Sequence, residues 1–390
     1  VIRAFVAALL LAAFAATSAV PARAADPYDV YVLLSLTGPG AFLGQSEAKS
    51  IEAIETLANR RGGIGGRPVH FVVQDDQSSP QIAVQLMQGL IAKGVPIVLG
   101  PSYSATCYAV LAIVKNGPVQ YCYTPSVHTT APSFTFSSGV STKDLALAGL
   151  RFFRARGVRK IGVLVTTDAT GQDGENVIRE DLALRENASL SLVATEHFNP
   201  GDISIGAQIA RLKASGAQLV IAWVTGTPFG TVLKAAVDND LDVPILTNAG
   251  NLSAVQMTQY AAFVPKELYF TAFRFLRYKQ AGPGPVRDAD RDFYAALASV
   301  GVPNPDGTYS SDWDATNIAV DALRHAGPHP TAEQLRAYIA NLHGFPGING
   351  IMDFRDGQQR GYKDNAGLIV RWDAPTKTFV PVSLPGGYVK

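Results

Sequence analysis

PIVLGPSYSATCYAV, residues 96–110, decides how the chain is read. It opens as a short apolar run with β-branched residues, the signature of a buried strand. It then turns through Gly100 and Pro101 into small hydroxyls, and a helical pattern runs from Ala105 to Val114. A strand that ends in glycine directly before a helix is one unit of an alternating α/β fold. The hydroxyls have two readings. Ser102 or Ser104 could cap the helix. Alternatively, hydroxyls and free N–H groups at a helix N-terminus could seat a carboxylate or phosphate.

The same unit repeats outward in both directions. Toward the N-terminus, VYVLLS (30–35) and VHFVVQDD (69–76) read as strands. Helices fall at 45–59 and from Pro80. Downstream come strand PVQYCY (118–123) and a shorter extended piece, FTFSS (134–138). The scheme then restarts, with strands at 159–168, 190–198, 217–224 and 243–248 and helices at 142–156, 174–186, 202–215 and 228–239. Two runs of β-α units predict two α/β lobes with parallel sheets. The last third is less regular. It has an extended stretch at 268–276, helices at 288–299, 313–325 and 331–342, and strands at 350–357 and 367–373. Three helices with no strand between them cannot build a third parallel sheet, so they are expected to return and cover an earlier one.

In an open parallel sheet, ligands bind at the carboxyl ends of the strands. These ends read LTGPGAFLGQ (36–45), GPSYSAT, TPSVHTTAP (124–132), TTDATGQDG (166–174), TGTPFG (225–230) and TNAGNL (247–252). They are rich in Gly, Ser, Thr and Asn; Asp168 and Asp173 are their acids and His128 their imidazole. Ser126 and His128 could be proposed as a hydrolytic pair, but no orienting acid follows in the same loop. A crevice of hydroxyls, amides and rings binds a small molecule without transforming it. GGIGG (62–66) follows a helix and opens a strand, the reverse of a dinucleotide loop. No G-x-S-x-G, Walker A, H-E-x-x-H or EF-hand pattern occurs, so neither cofactor nor metal is expected. His325 and His329 are separated by Gly327 and Pro328, which spoils a helical ligand pair. The two cysteines, Cys107 and Cys122, could form a disulfide at one sheet edge or stay as buried thiols.

Residues 1–24 carry Arg3, the apolar stretch AFVAALLLAAFAATSAV and the small-residue site Ala22-Arg23-Ala24. This is the pattern of a signal peptide cleaved before Ala25, which implies export, for a bacterium into the periplasm. The chain's 33 basic and 32 acidic residues nearly cancel, and no basic patch is interleaved with aromatics. Nucleic acid is therefore a poor partner. No second apolar span follows, so the mature chain is not expected to insert in a membrane, and a monomer is expected.

LTGPGAFLGQ, GGIGGRPVHFVVQDDQSSPQIAV, VLGPSYSAT, TPSVHTTAP and DATGQDG, in this order, resemble the leucine-isoleucine-valine-binding protein family, type I solute-binding proteins of ABC transporters. The resemblance runs from Tyr28 to about Asp373. It implies two lobes joined by three hinge crossings, near Ser138–Ser141, Thr271–Phe275 and Asn349–Asp353. Lobe 1 would be 25–139 and 275–350, and lobe 2 would be 140–274 and 351–390. It also implies hinge closure on a ligand, an ABC permease as partner and no enzymatic activity. By the resemblance, Ser104 and the stretch Ser126–Thr129 match positions that hold a ligand carboxylate. Asp168, Thr170, Thr225 and Asn248 fall in the second-lobe loops, and Phe42 and Tyr103 supply rings, with Trp223 and Phe229 as further candidates. His128 and Asn248 could hydrogen-bond a second polar group. The chain departs from amino-acid binders at Ala249, where an acid would pair with the ammonium, and at Thr170 and Thr225, where tyrosines would stand. These departures point toward a small carboxylate without an amino group, an aromatic acid such as a benzoate or hydroxycinnamate. A branched-chain amino acid or amide is the alternative. A sensing module for a receptor would need a signalling segment, and an exported hydrolase would need turnover lost on changing Ser104 or Ser126.

Overall fold

Runs of Val, Ile and Leu that are buried on both faces can only be interior strands of a covered sheet, and such runs organise the chain. The computed structural model describes residues 25–362 and 366–389, so the expected signal peptide lies outside the described residues. The first sheet holds β1 (Tyr28–Leu34), β2 (Val69–Asp75), β3 (Ile97–Leu99), β4 (Val119–Cys122) and β5 (Thr135–Ser137). Its order is β2-β1-β3-β4-β5, and every pairing is parallel. The second sheet begins with β6 (Lys160–Thr166), β7 (Ser191–Phe198), β8 (Leu219–Trp223), β9 (Ile245–Thr247) and β10 (Leu268–Phe273). A small antiparallel pair follows, β11 (His343–Gly347) with β12 (Gly350–Asp353). β13 (Gly367–Asp373) and β14 (Thr378–Pro381) then complete the second sheet in the order β14-β13-β10-β9-β8-β6-β7, both joining it antiparallel. Two α/β lobes with mainly parallel sheets are therefore present.

The terminal helices Pro285–Ser299, Trp313–Ala326 and Ala332–Asn341 return to the first lobe. The first two pack on the helix Ala41–Arg60 and the last against β4. Phe275 joins this packing, with ring centroids 5.3 Å from Phe293, so residues 274–280 form a 3₁₀ turn rather than extending the strand that the apolar run 268–276 predicts. The last transfer between lobes also falls later than Asn349–Asp353. Ala131 N–H donates to the Gly357 carbonyl at 2.8 Å and Ser137 N–H to the Gln359 carbonyl at 3.1 Å, so the chain is still bound to the first lobe there. β13, from Gly367, belongs to the second sheet.

The opening stretch resolves in detail. Gly100 has φ 80°, a left-handed conformation, and an added Cβ would overlap the Leu33 carbonyl oxygen of β1. Only glycine meets both demands. Neither serine caps the helix Ser104–Leu111, whose N-cap is Tyr103 with no side-chain cap bond. Cys107 and Cys122 form a disulfide with Cα atoms 6.1 Å apart, which ties the first turn of this helix to the end of β4.

Candidate functional site

The carboxyl ends of both sheets face each other, and the loops that follow them enclose a small cavity of about 40 Å³. From the first lobe, Leu43, Ser102, Tyr103, Ser104, Thr124 and Ser126 line it. From the second come Thr170, Trp223, Thr225, Asn248 and Ala249, while Thr142, Leu145 and Phe273 line it from the crossing segments. No charged side chain is among the lining residues.

One wall is made of hydroxyls. Ser104 Oγ lies 2.9 Å from Thr124 Oγ1 and donates to Ser126 Oγ at 3.1 Å. Ser104 is also the first helical residue, so the unpaired N–H groups of the first turn open onto this wall. Across the cavity, Thr225 Oγ1 donates to Asn248 Oδ1 at 3.1 Å, and Asn248 Nδ2 donates to the Val224 carbonyl at 2.8 Å. The hydroxyls of Thr142 and Thr170 are buried at the cavity with no partner among the described residues. A buried hydroxyl without a partner costs about 1–3 kcal/mol, so both are placed for a bound molecule or water to satisfy.

Behind the hydroxyl wall, Ser102 Oγ donates to the Glu47 carboxylate and accepts from Ser35 N–H at 3.3 Å. Burial pushes the Glu47 carboxyl well above its usual range, and the nearby Asp312 adds to this. Burial therefore favours the protonated form of Glu47. Tyr103 bridges the lobes, its hydroxyl 3.2 Å from both Asp168 Oδ2 and the Thr225 carbonyl. Burial, reinforced by Asp168, raises the Tyr103 pKa and keeps it a neutral donor.

Six of the ten expected site residues line the cavity: Tyr103, Ser104, Ser126, Thr170, Thr225 and Asn248. The other four lie elsewhere. Phe42 faces a separate surface groove beside Pro39, Gln45 and Tyr309. Asp168 is committed to the helix it precedes, accepting from Gly171 N–H at 3.1 Å and Thr166 Oγ1 at 2.7 Å. Thr129 spends its hydroxyl on the Thr135 carbonyl at 2.7 Å. His128 turns outward and meets Asp173 of the second lobe at 2.8 Å. This pairing removes the imidazole from Ser126, so the suggested hydrolytic pair does not form. His128 and Thr129 line a larger outer groove with Lys143, Asp173, Glu180 and Arg360. That groove is open and charged; the inner cavity is where the strand ends converge. Phe229 is a core residue packed against Tyr260 and Phe270. Trp223 is both core and wall: it lines the cavity, and Gly174 leaves it space that any Cβ would take.

Sequence reading named Ser102 only as one of the two hydroxyls of the opening stretch, and did not reach Leu43, Thr124, Thr142, Leu145 and Phe273. Ser102 and Thr124 sit inside quoted strand-end loops, where the small-hydroxyl pattern was the available signal. Thr142, Leu145 and Phe273 reach the cavity only through the crossings, and no local pattern marks them.

The sequence profile described as "Periplasmic binding protein" matches residues 27–377. The chain belongs to this family. Among curated relatives of this periplasmic binding protein is the leucine-, isoleucine-, valine-, threonine- and alanine-binding protein of Pseudomonas aeruginosa, 28% identical over 63% of this chain. The chain spans 65% of that relative's length and 57% of a Brucella melitensis homologue's, less than two thirds of each. The fold is similar to two solute-binding proteins of Rhodopseudomonas palustris ABC transporters. One, in complex with benzoate, has TM-score 0.75 and 17% identity over 91% of this chain and 95% of that one. The other, in complex with 4-hydroxybenzoate, has TM-score 0.76 and 16% identity over 92% and 96%. Among the described residues no helix is long and apolar enough to cross a membrane, and no group of three metal-ligating side chains could hold an ion.

Proposed function

We propose that this periplasmic binding protein captures a small aromatic carboxylate between its lobes and delivers it to an ABC permease from the periplasm. The observation that carries the reading is a cavity between the strand ends of both sheets whose lining holds no charged side chain. Hydroxyls and the helix N-terminus at Ser104 suit a carboxylate at one end. The rings of Tyr103, Tyr123, Trp223 and Phe273, which also line the cavity, suit a flat apolar body. The benzoate and 4-hydroxybenzoate complexes of the two fold neighbours support this ligand class.

A branched-chain amino acid is the second reading, favoured by the Pseudomonas relative's name. Its ammonium would need an acid, and Ala249 stands where the resemblance expects one, on a wall with no carboxylate. A buried ammonium without a partner loses several kcal/mol. Binding without turnover fits the same wall, since no base reaches Ser104 or Ser126.

A thermal-shift and calorimetry panel on the chain from Ala25 tests this: benzoate, 4-hydroxybenzoate, coumarate, phenylacetate, leucine and valine. A ligand at ~100 times its Kd stabilises by about 2.7 kcal/mol. An aromatic acid is expected to stabilise and leucine not. Stabilisation by leucine alone overturns the ligand class, and NMR showing the bound acid consumed overturns the non-enzymatic reading.

A further inference from the structure

Arg360 lies in the segment that clings to the first lobe before the chain reaches β13. Its guanidinium donates to the carbonyls of Pro125 at 2.9 Å, Val127 at 2.8 Å and Ser138 at 3.3 Å. It is 6% exposed. Burial holds its pKa down to about 10, which leaves it charged at neutral pH. Among the described residues its hydrogen-bond partners are all carbonyls. The two acids that face it have other partners: Asp173 pairs with His128 at 2.8 Å, and Asp144 accepts from the Ser141 hydroxyl at 2.6 Å.

The segment that Arg360 grips, 124–128, is also the one that gives the cavity Thr124, Pro125 and Ser126. We propose that Arg360 is the positioning residue that makes this cavity select an anion, acting through the 124–128 loop and not by contact with the ligand. Two effects combine. Carbonyls engaged by the guanidinium are not available to oppose a carboxylate, so the loop presents its hydroxyls. The guanidinium lies against the carbonyls on either side of Ser126, and the part of its charge that Asp173 and Asp144 do not offset raises the local potential in a wall whose lining carries none of its own. The inference rests on the reading of the cavity as a carboxylate site.

The test measures Kd for two isosteric probes, 4-hydroxybenzoate and 4-hydroxybenzamide, by calorimetry. Removing a nearby unit charge is expected to weaken the acid by about tenfold or more. Arg360→Gln should therefore weaken the acid by that factor and change the amide by less than about threefold, while Arg360→Lys restores most of the acid affinity. Gln358→Glu keeps the guanidinium and sets a carboxylate on the same groove wall; it should also weaken the acid selectively, which keeps the question open to measurement if Arg360→Gln does not fold. An equal loss of acid and amide, or no loss, overturns the inference while leaving the carboxylate reading intact. A wild-type protein that binds neither this acid nor the others in the panel overturns the reading on which the inference rests.

Discussion

Ser35 and Thr166 follow or close the first strand of each lobe, and each supports a glycine of the next helix. An added Cβ on Gly44 would overlap the Ser35 carbonyl, and one on Gly171 the Thr166 carbonyl. Three residues further along each helix the lobes part. The first lobe has Glu47, a buried carboxyl that receives the Ser102 hydroxyl. The second has Gly174, whose missing side chain is replaced by the Trp223 indole. One frame therefore carries two walls: a hydroxyl wall that suits a carboxylate and an aromatic wall that suits a ring. On the proposed reading, what stands behind each wall shapes the choice of ligand as much as what lines it.

The largest expected effects test the shared frame. Gly44→Ala and Gly171→Ala should each cost about 3 kcal/mol or more, because backbone cannot yield as a side chain can. Urea unfolding would show it, and a mild result in one lobe alone would break the correspondence. Next comes a device found only in the first lobe. Replacing Cys107 and Cys122 by serine opens a link between residues 15 apart, worth about 3 kcal/mol in the chain-entropy account. Hydrogen exchange should rise in 104–126 and stay unchanged around β6 and β8.

The walls come third. Ser104→Ala removes a hydroxyl aimed at the proposed carboxylate and should weaken 4-hydroxybenzoate by about 1.5–3 kcal/mol, the range for bonds to a charged group. Thr225→Val, on the opposite wall, should cost about 1 kcal/mol or less. Calorimetry giving equal losses would erase the division of labour. The smallest effect concerns Asp181, the buried acid of the helix Ala169–Leu182, whose pKa burial raises to about 7 and whose two carboxylate oxygens have no hydrogen-bond partner among the described residues. The fold keeps a proton that the unfolded chain releases near pH 4. Stability therefore falls as pH rises from about 4 to about 7 and is level above. Asp181→Asn should raise the melting temperature by a few degrees at pH 8 and scarcely at pH 4.5.

Much of this frame could be read from the residues. β13 coincides with the run GLIVRWD, and the alternation of strands and helices follows the apolar pattern through residue 273. Most of those strands are buried on both faces, so sequence and burial coincide there, while the edge strands β2 and β7 are only partly covered. β11, with His343, Gly344 and Pro346, and β14 at the sheet edge carry no such run and were not legible. The cavity was legible where it is built from strand-end loops. It failed at His128, because which way an imidazole turns depends on Asp173, 45 residues away in the other lobe. It failed at Arg360 for the same reason: nothing in DGQQRGY says that the guanidinium will be buried under a loop more than 200 residues earlier.

The Tyr103 hydroxyl, shared between Asp168 and the Thr225 carbonyl, has a kinetic side. Its bonds exist only while the lobes touch, so they oppose reopening and add nothing to the first encounter. On the proposed reading, the disulfide-tied hydroxyl wall serves capture, while residence time depends on the bonds of the Tyr103 hydroxyl between the lobes, which a release step has to break in addition to the contacts that recognise the carboxylate.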